Sequence, residues 1–220
     1  MRCSICEGTE FVPGFNGRMT FGMAPACAGC GSVERHRIVH DLFSALTPML
    51  KTWRVLQFAP DRSVRQHWFA LYTGSVYGGQ NSLNMMDTGL EQGSFDLVLS
   101  NHVLEHVEDD IGAIREMLRV VGPSGLVALT VPTPLFRWST EDWHFADAAR
   151  NYHFRDYGAD FASNVVNTIP GARAMIAIGR DAITGIADHV YFLSLSRERL
   201  AGLARIWQPS GIPLVNIHRS

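Results

Sequence analysis

The sequence predicts an α/β fold: a doubly wound, mostly parallel sheet with a late antiparallel strand, preceded by a small cysteine-bearing module. Three observations predict it. Short apolar runs alternate with amphipathic segments through the middle of the chain, and the four cysteines form two closely spaced pairs, Cys3/Cys6 and Cys27/Cys30, ahead of that pattern. With 220 residues, 46% of them hydrophobic, the chain can bury one sizeable core and carry a small appendage, but not two full domains.

Residues 1–31 hold Pro13, Gly14, Gly17, Gly22, Pro25, Gly29 and Gly31, which interrupt any long element and give loops and hairpins. From Ser32 the texture changes. Ile38, Val39, Leu42, Phe43 and Leu46 fall at helical spacing, so a helix is expected over 33–46, capped by Ser32 and stopped near Pro48. Val55-Leu56-Gln57-Phe58 reads as a first strand, 61–71 as a helix and 95–100 as a buried strand. A helix over 109–121 ends at Gly122-Pro123-Ser124-Gly125, and 126–131 is a further buried strand. This cadence implies a parallel sheet covered on both faces. Residues 132–170 are less regular, 172–178 and 189–195 form two late strands suited to an antiparallel finish, and a short helix is expected near 197–207.

Nineteen Lys and Arg against 21 Asp and Glu leave a formal charge of -2, no overall field for a polyanion, so nucleic acid is disfavoured as a partner. The first residues lack the apolar stretch of a secretory signal and no apolar run approaches the roughly 20 residues of a membrane span, so a soluble, cytoplasmic protein is expected.

In a reducing compartment the cysteines are thiols or metal ligands rather than disulfides. Cys3-x-x-Cys6 and Cys27-x-x-Cys30 have the spacing of a zinc ribbon or knuckle, in which each two-residue gap turns both sulfurs toward one ion. Four thiolates leave no open coordination position, so the zinc is expected to be structural, holding a fragment too small to fold alone. The expected division is a zinc module over 1–31 and a catalytic domain over 32–220.

Several motifs carry a family resemblance. Val55-Leu56-Gln57-Phe58-Ala59-Pro60-Asp61 and Gly93-Ser94-Phe95-Asp96-Leu97-Val98-Leu99-Ser100-Asn101-His102-Val103-Leu104-Glu105-His106-Val107 closely resemble class I S-adenosylmethionine (SAM) dependent methyltransferases of the methyltransferase type 11 group, whose fold is Rossmann-like. Residues 113–125 look like that family's next helix and turn. Cys30-Gly31-Ser32-Val33-Glu34-Arg35-His36-Arg37 and the Phe-Ala-Pro-acidic first motif resemble a subgroup with an N-terminal four-cysteine motif, and the likeness covers roughly 25–160.

The resemblance implies a SAM site at the carboxyl edge of the sheet. Phe58, Ala59 and Pro60 would line it at the first strand; Ser75 or Tyr77 would stand where the family has a ribose-binding acid; Asp87, with Thr88, would sit by the adenine. Asn101 and His102 would flank the methionine part of SAM, while Glu105 and His106 would begin the next helix. Two departures stand out: the first motif has no glycine, and 71–77 has no acid.

Methyl transfer from a sulfonium is an in-line displacement accelerated by positioning, with a base needed for a hydroxyl or ammonium acceptor. The polar insertion after the strand over 126–131 supplies His144 and His153 as candidate bases, with Glu141 and Asp142 behind them; 150–158 resembles a His-x-Arg-x-Tyr-Gly stretch of the subgroup. Trp138, Trp143 and Tyr152 either wall an acceptor pocket or pack the long loop. The expected function is transfer of a methyl group from SAM to O, N or S of a small molecule. The alternatives are a ribosomal or transfer RNA methyltransferase, and a catalytically silent SAM-fold binding or assembly protein.

Overall fold

A computed structural model describes residues 1–79, 81–132 and 134–219 of the chain. Thr133, within the polar insertion, lies outside the described residues. The first element is a two-stranded hairpin of β1 (Phe11–Val12) and β2 (Ala26–Cys27), followed by α1 (Glu34–Ser44) and the single turn α2 (Thr47–Leu50). Then come β3 (Arg54–Phe58), β4 (Leu71–Ser75), β5 (Leu97–Asn101), α3 (Asp110–Val121) and β6 (Leu126–Thr130). The insertion holds β7 (Glu141–Asp147), β8 (His153–Asp156) and α4 (Phe161–Thr168). The chain finishes with β9 (Arg173–Arg180), β10 (Ala187–Ser194), α5 (Arg197–Trp207) and β11 (Leu214–Ile217).

Seven strands make one sheet in the order β11-β9-β10-β6-β5-β3-β4. Strands β4, β3, β5 and β6 are mutually parallel; β10 inserts antiparallel between β6 and β9, and β11 adds an antiparallel edge. Five of the seven strands thus point the same way. Alternation distributes their side chains between two cores: Leu126 and Ala128 face one, Val127 and Leu129 the other. Helices α1 and α5 cover the first, α3 and α4 the second, which is the doubly wound Rossmann-like arrangement. Trp207 of α5, wholly buried, donates its indole N–H to the carbonyl of Leu42 at 3.0 Å and ties the two helices of one face together. Asp109 caps α3 by accepting from the Gly112 amide, and Gly122 ends it at φ 69°, as the stop signal predicted.

Three local expectations are corrected. The stretch 61–71 is no helix; it contains only a 3-10 turn, Gln66–Trp68, before β4 begins. The crossover from the end of β3 to the start of β4 must run back along a strand of about 17 Å, and a helix of that length uses about eleven residues. Residues 59–70 would then have almost nothing left for two connections. Asp61 also breaks the helix locally, accepting from the Ser63 amide at 2.8 Å and its hydroxyl at 2.5 Å. Ser32 does not cap α1, because its hydroxyl is turned toward the cysteines; the His36 imidazole takes the cap instead, its Nδ1 accepting the Val33 amide at 3.1 Å. Glu105 and His106 sit in a separate 3-10 turn, Leu104–His106, ahead of α3. Among the described residues no helix is long and apolar enough to cross a membrane.

Candidate functional site

After β4 the chain crosses over β3 to reach β5, so the crevice at the carboxyl ends of β3 and β5 is the switch point where open α/β sheets bind ligands. A cleft of about 620 Å³ opens there, within the usual size of small-molecule sites. Its walls come from the tips of three strands, Phe58 of β3 with Ala59 just after it, Ser75 of β4 and His102 after β5, and from Tyr77, Asn84 and Met85 beyond β4. His106, Val107, Glu108 and Phe154 close the far side.

The sequence lacked a glycine at the first turn, and the backbone shows how the chain manages: Ala59 itself takes the left-handed conformation, φ 46°, with its amide bonded to the Ser75 carbonyl at 2.9 Å. An alanine is strained there. Ala59→Gly is therefore expected to raise unfolding free energy by about 0.5–1 kcal/mol, seen as a later denaturant midpoint; an earlier midpoint would contradict the assigned turn. Pro60 packs instead over Gly74, where an added Cβ would lie 2.7 Å from its ring.

The ribose position carries no acid. Ser75 is buried and its hydroxyl accepts the Leu83 amide at 3.1 Å; the nearby polar side chains of the cleft are Tyr77 and Asn84, the latter accepting the Met86 amide through its Oδ1 at 3.0 Å. Asp87 and Thr88 do not line the cleft. Asp87 is an exposed turn residue bonded through its amide to the Asn84 carbonyl, and the buried Thr88 donates to Glu116 of α3 at 2.5 Å. Asn84, three positions before Asp87, is the polar residue the sequence reading missed; its only signal was its place in a short polar turn before two methionines. Asn101 is likewise turned away, its amide donating to Asp61 at 3.1 Å and to Ser63 at 3.0 Å, which ties the β3 loop to the tip of β5.

His102 is the pivotal residue. Its backbone is left-handed, φ 51°, and its side chain borders both the cleft and a second pocket of about 230 Å³. That second pocket lies between Arg35 of α1, Val131 and Pro132 after β6, Phe136 of the insertion and Asp188 of β10. Arg18 of the cysteine module also reaches it, so the module borders this pocket. Burial, reinforced by Arg35 and neighbouring histidines, draws the His102 pKa down to about 3, which keeps the ring neutral at working pH. Burial pushes the Asp188 carboxyl up to about 6.

The two candidate bases separate clearly. His144 extends into solvent, 85% exposed, beside Asp142, and lines neither cavity. His153 is partly buried, its ring edge-on to His106 of the cleft wall at 4.7 Å between centroids, with burial lowering its pKa. Glu141 is exposed and Asp142 is bonded to the Arg155 guanidinium at 2.6 Å. Arg155 also donates to the carbonyls of Val107 and Glu108, each at 2.5 Å, and so clamps the insertion onto the cleft wall. Tyr157 donates to Asp110 at 2.9 Å, and Gly158 sits where an added Cβ would strike the Ser139 backbone at 2.3 Å. The His-x-Arg-x-Tyr-Gly stretch is thus a fastening. Trp138, Trp143 and Tyr152 wall neither cavity; Trp138 is exposed, Trp143 stacks under Arg150 at 4.4 Å, and Phe136 is the insertion aromatic that borders the second pocket.

The four cysteines converge. Their sulfurs lie within 4.8 Å of one another, with Cys6 and Cys27 at 3.5 Å and Cys3 and Cys30 at 3.7 Å. Tetrahedral zinc with bonds of about 2.3 Å spaces its sulfurs by about 3.8 Å, so the set fits the ion. Both pairs end in the same turn, with Glu7 at φ 62° and Gly31 at φ 70°. At Gly8 a Cβ would come within 3.2 Å of the Cys27 sulfur and 3.3 Å of the Cys6 sulfur, so a side chain there would crowd the cradle. The Ser32 hydroxyl stands 3.1 Å from Cys30 and 3.3 Å from Cys3. Although the Gly8 amide favours its thiolate, Cys6 is pushed up to about 12 by Cys30 and by burial, whereas Ser32 draws Cys30 down to about 7 against its burial. Crowded thiols hold protons that an entering cation must displace.

Against known proteins, one family profile aligns with the part of the chain that builds this edge. Residues 27–129 match the family described as a methyltransferase domain. No curated protein matches the sequence. Among solved structures, a SAM-dependent methyltransferase of Thermotoga maritima is 11% identical and has a TM-score of 0.42, the match covering 72% of this chain and 89% of that one. The 1,6-didemethyltoxoflavin-N1-methyltransferase of Burkholderia thailandensis is 12% identical at a TM-score of 0.47, covering 73% of this chain and 78% of that one. An S-adenosylmethionine dependent methyltransferase of Mesorhizobium loti is 18% identical at 0.36, covering 45% and 55%. At such identities and scores these likenesses say nothing about an acceptor.

Proposed function

We propose that the chain is a SAM-dependent methyltransferase that modifies O, N or S of a small molecule, with a structural zinc in its four-cysteine module. The observation that carries this reading is the pair of cavities at the carboxyl edge of the sheet, joined at His102: one of cofactor size, the other small and walled by apolar groups with two arginines and two acids. SAM bound in the larger cleft supplies an activated methyl group on sulfur. Phe58, Ala59, Ser75, Asn84 and Met85 would hold it, apolar on the adenine side and polar at the sugar. Neutral His102 orients the acceptor by hydrogen bonding without adding charge next to a sulfonium. Arg35 and Asp188 select the acceptor's polar ends, and Phe136 gives the pocket an apolar rim. Where the acceptor is an ammonium, its proton leaves by way of His153 rather than the solvent-facing His144.

The test is incubation of the purified chain with methyl-labelled SAM, a low-molecular-weight metabolite fraction and, separately, total RNA. Label is expected in the low-molecular-weight fraction. Label in RNA alone would overturn the acceptor class, and label in neither would favour a silent binding protein.

A further inference from the structure

A second group of ligating side chains stands on the wall of the same cleft. Glu105 and His106 belong to the turn Leu104–His106, and β8 packs against that turn so that His153 meets them. One ligand atom from each of Glu105, His106 and His153 lies within 4.8 Å of the other two. Glu105 is 1% exposed, and its Oε2 has no hydrogen-bond partner among the described residues. Its other oxygen is 3.6 Å from His102 Nδ1, beyond a good hydrogen bond. A buried carboxylate oxygen without a donor is costly unless a cation or a proton meets it. Asp156 Oδ1 stands 3.8 Å from His153 Nδ1, too far for a hydrogen bond but close enough to place a further negative charge beside the cluster.

We infer that Glu105, His106 and His153 form a site for a divalent transition metal of the zinc class, with a coordination position open to the cleft that His106 lines. Two imidazoles and one carboxylate are the ligand set of open, reactive zinc centres, in contrast to the closed four-thiolate set. A tetrahedral centre spaces such ligands by about 3.4 Å, so the three side chains close inward by at most about 1.5 Å on binding. Resting on the methyltransferase reading above, the open position takes a hydroxyl-bearing acceptor. The metal lowers the hydroxyl pKa and its proton passes to water; the oxygen then attacks the methyl carbon, an O–C bond forms, and the C–S bond breaks with its electron pair left on sulfur. His153 thus serves deprotonation as a ligand rather than by taking the proton itself.

The test titrates zinc into the full-length protein, first dialysed against metal-free buffer, and counts equivalents bound alongside a separate calorimetric titration with SAM. A second equivalent beyond that of the cysteines is expected, weakened at least tenfold in His106→Ala and in Glu105→Gln. His106 is exposed and its removal gives up only the edge contact with His153, while the glutamine keeps the volume of Glu105. The same number of equivalents at the same affinity in wild type and both variants would overturn the site. Loss of the second equivalent in both variants, with SAM binding retained in Glu105→Gln, supports it. A wild type that binds one equivalent and still binds SAM overturns this inference alone, whereas two equivalents without SAM binding leave the metal site standing and overturn the methyltransferase reading.

Discussion

Arg37→Ala is expected to lower the unfolding free energy by about 3–5 kcal/mol, the usual effect of removing one partner of a buried ion pair. Arg37 is 1% exposed, and every arm of its guanidinium is engaged. It donates to both oxygens of Asp181, at 2.7 and 3.0 Å, and to the carbonyls of Ser32 and Pro25 at 3.0 and 2.9 Å. Asp181, also 1% exposed, accepts further from the amide and hydroxyl of Thr184, both at 2.9 Å. Three separate pieces of chain therefore meet on one side chain: the cysteine module, α1 and the connection between β9 and β10. Truncation leaves the Asp181 carboxylate buried without its counter-charge, and that penalty, rather than the lost attraction, sets the magnitude. Arg37→Lys restores the charge but cannot span Asp181 and two carbonyls with a planar fork, so it should recover only part of the loss. Denaturant unfolding checks both variants; an Arg37→Ala protein within about 1 kcal/mol of the wild type would contradict the assigned network.

Removing the zinc proposed for the cysteine module is the second large perturbation. Coordination by four thiolates is worth on the order of 10 kcal/mol to a small module, and the module buries only Cys3, Ile5 and Cys27 as its own core. Chelation, or Cys27→Ser, should therefore unfold residues before α1 while most of the sheet remains. The consequences reach beyond the module. Arg18 would leave Glu34, with which it forms a two-pronged bridge at 2.6 and 2.9 Å, and would also leave the pocket beside His102. Metal analysis should show the tightly held zinc lost in Cys27→Ser, and limited proteolysis should cut first within the module. A variant that keeps its metal, or a chelated protein with no new cleavage there, would contradict the assignment.

Much of the fold was legible because periodicity and stop signals act locally. The helix expected over 33–46 forms as Glu34–Ser44, that over 109–121 as Asp110–Val121, and that near 197–207 as Arg197–Trp207. The apolar strands were legible for the same reason. The missing helix after β3 was not, because crossover length against strand length is a tertiary constraint absent from any local window. Strand β11 hid in a tail containing Gly211 and Pro213, and β7 and β8 in a polar stretch whose order depends on distant partners of Arg155. The motif from Cys30 to Arg37 is the densest case. Cys30 joins the sulfur cluster, Ser32 backs it, Glu34 holds Arg18, Arg35 lines the second pocket, His36 caps the helix and Arg37 binds Asp181.

At the candidate site, Phe58, Ala59, Ser75 and His102, picked by their place at strand tips, all border the cleft. Asn101 and Thr88 were misjudged for one physical reason. A polar side chain near a sheet edge can satisfy itself on a neighbouring loop or helix, here Asp61 with Ser63, and Glu116, instead of on a ligand. Nothing in the residue types distinguishes the two.

The central claim is that the cleft at the tips of β3, β4 and β5 holds SAM despite a first turn without glycine and a second strand without a carboxylate. A calorimetric titration of the purified protein with SAM tests it most directly. Saturable binding at one site per chain, abolished by Ala59→Trp, which would fill the floor of the cleft, is the predicted result. No detectable heat at millimolar SAM, or binding unaffected by that substitution, would contradict it.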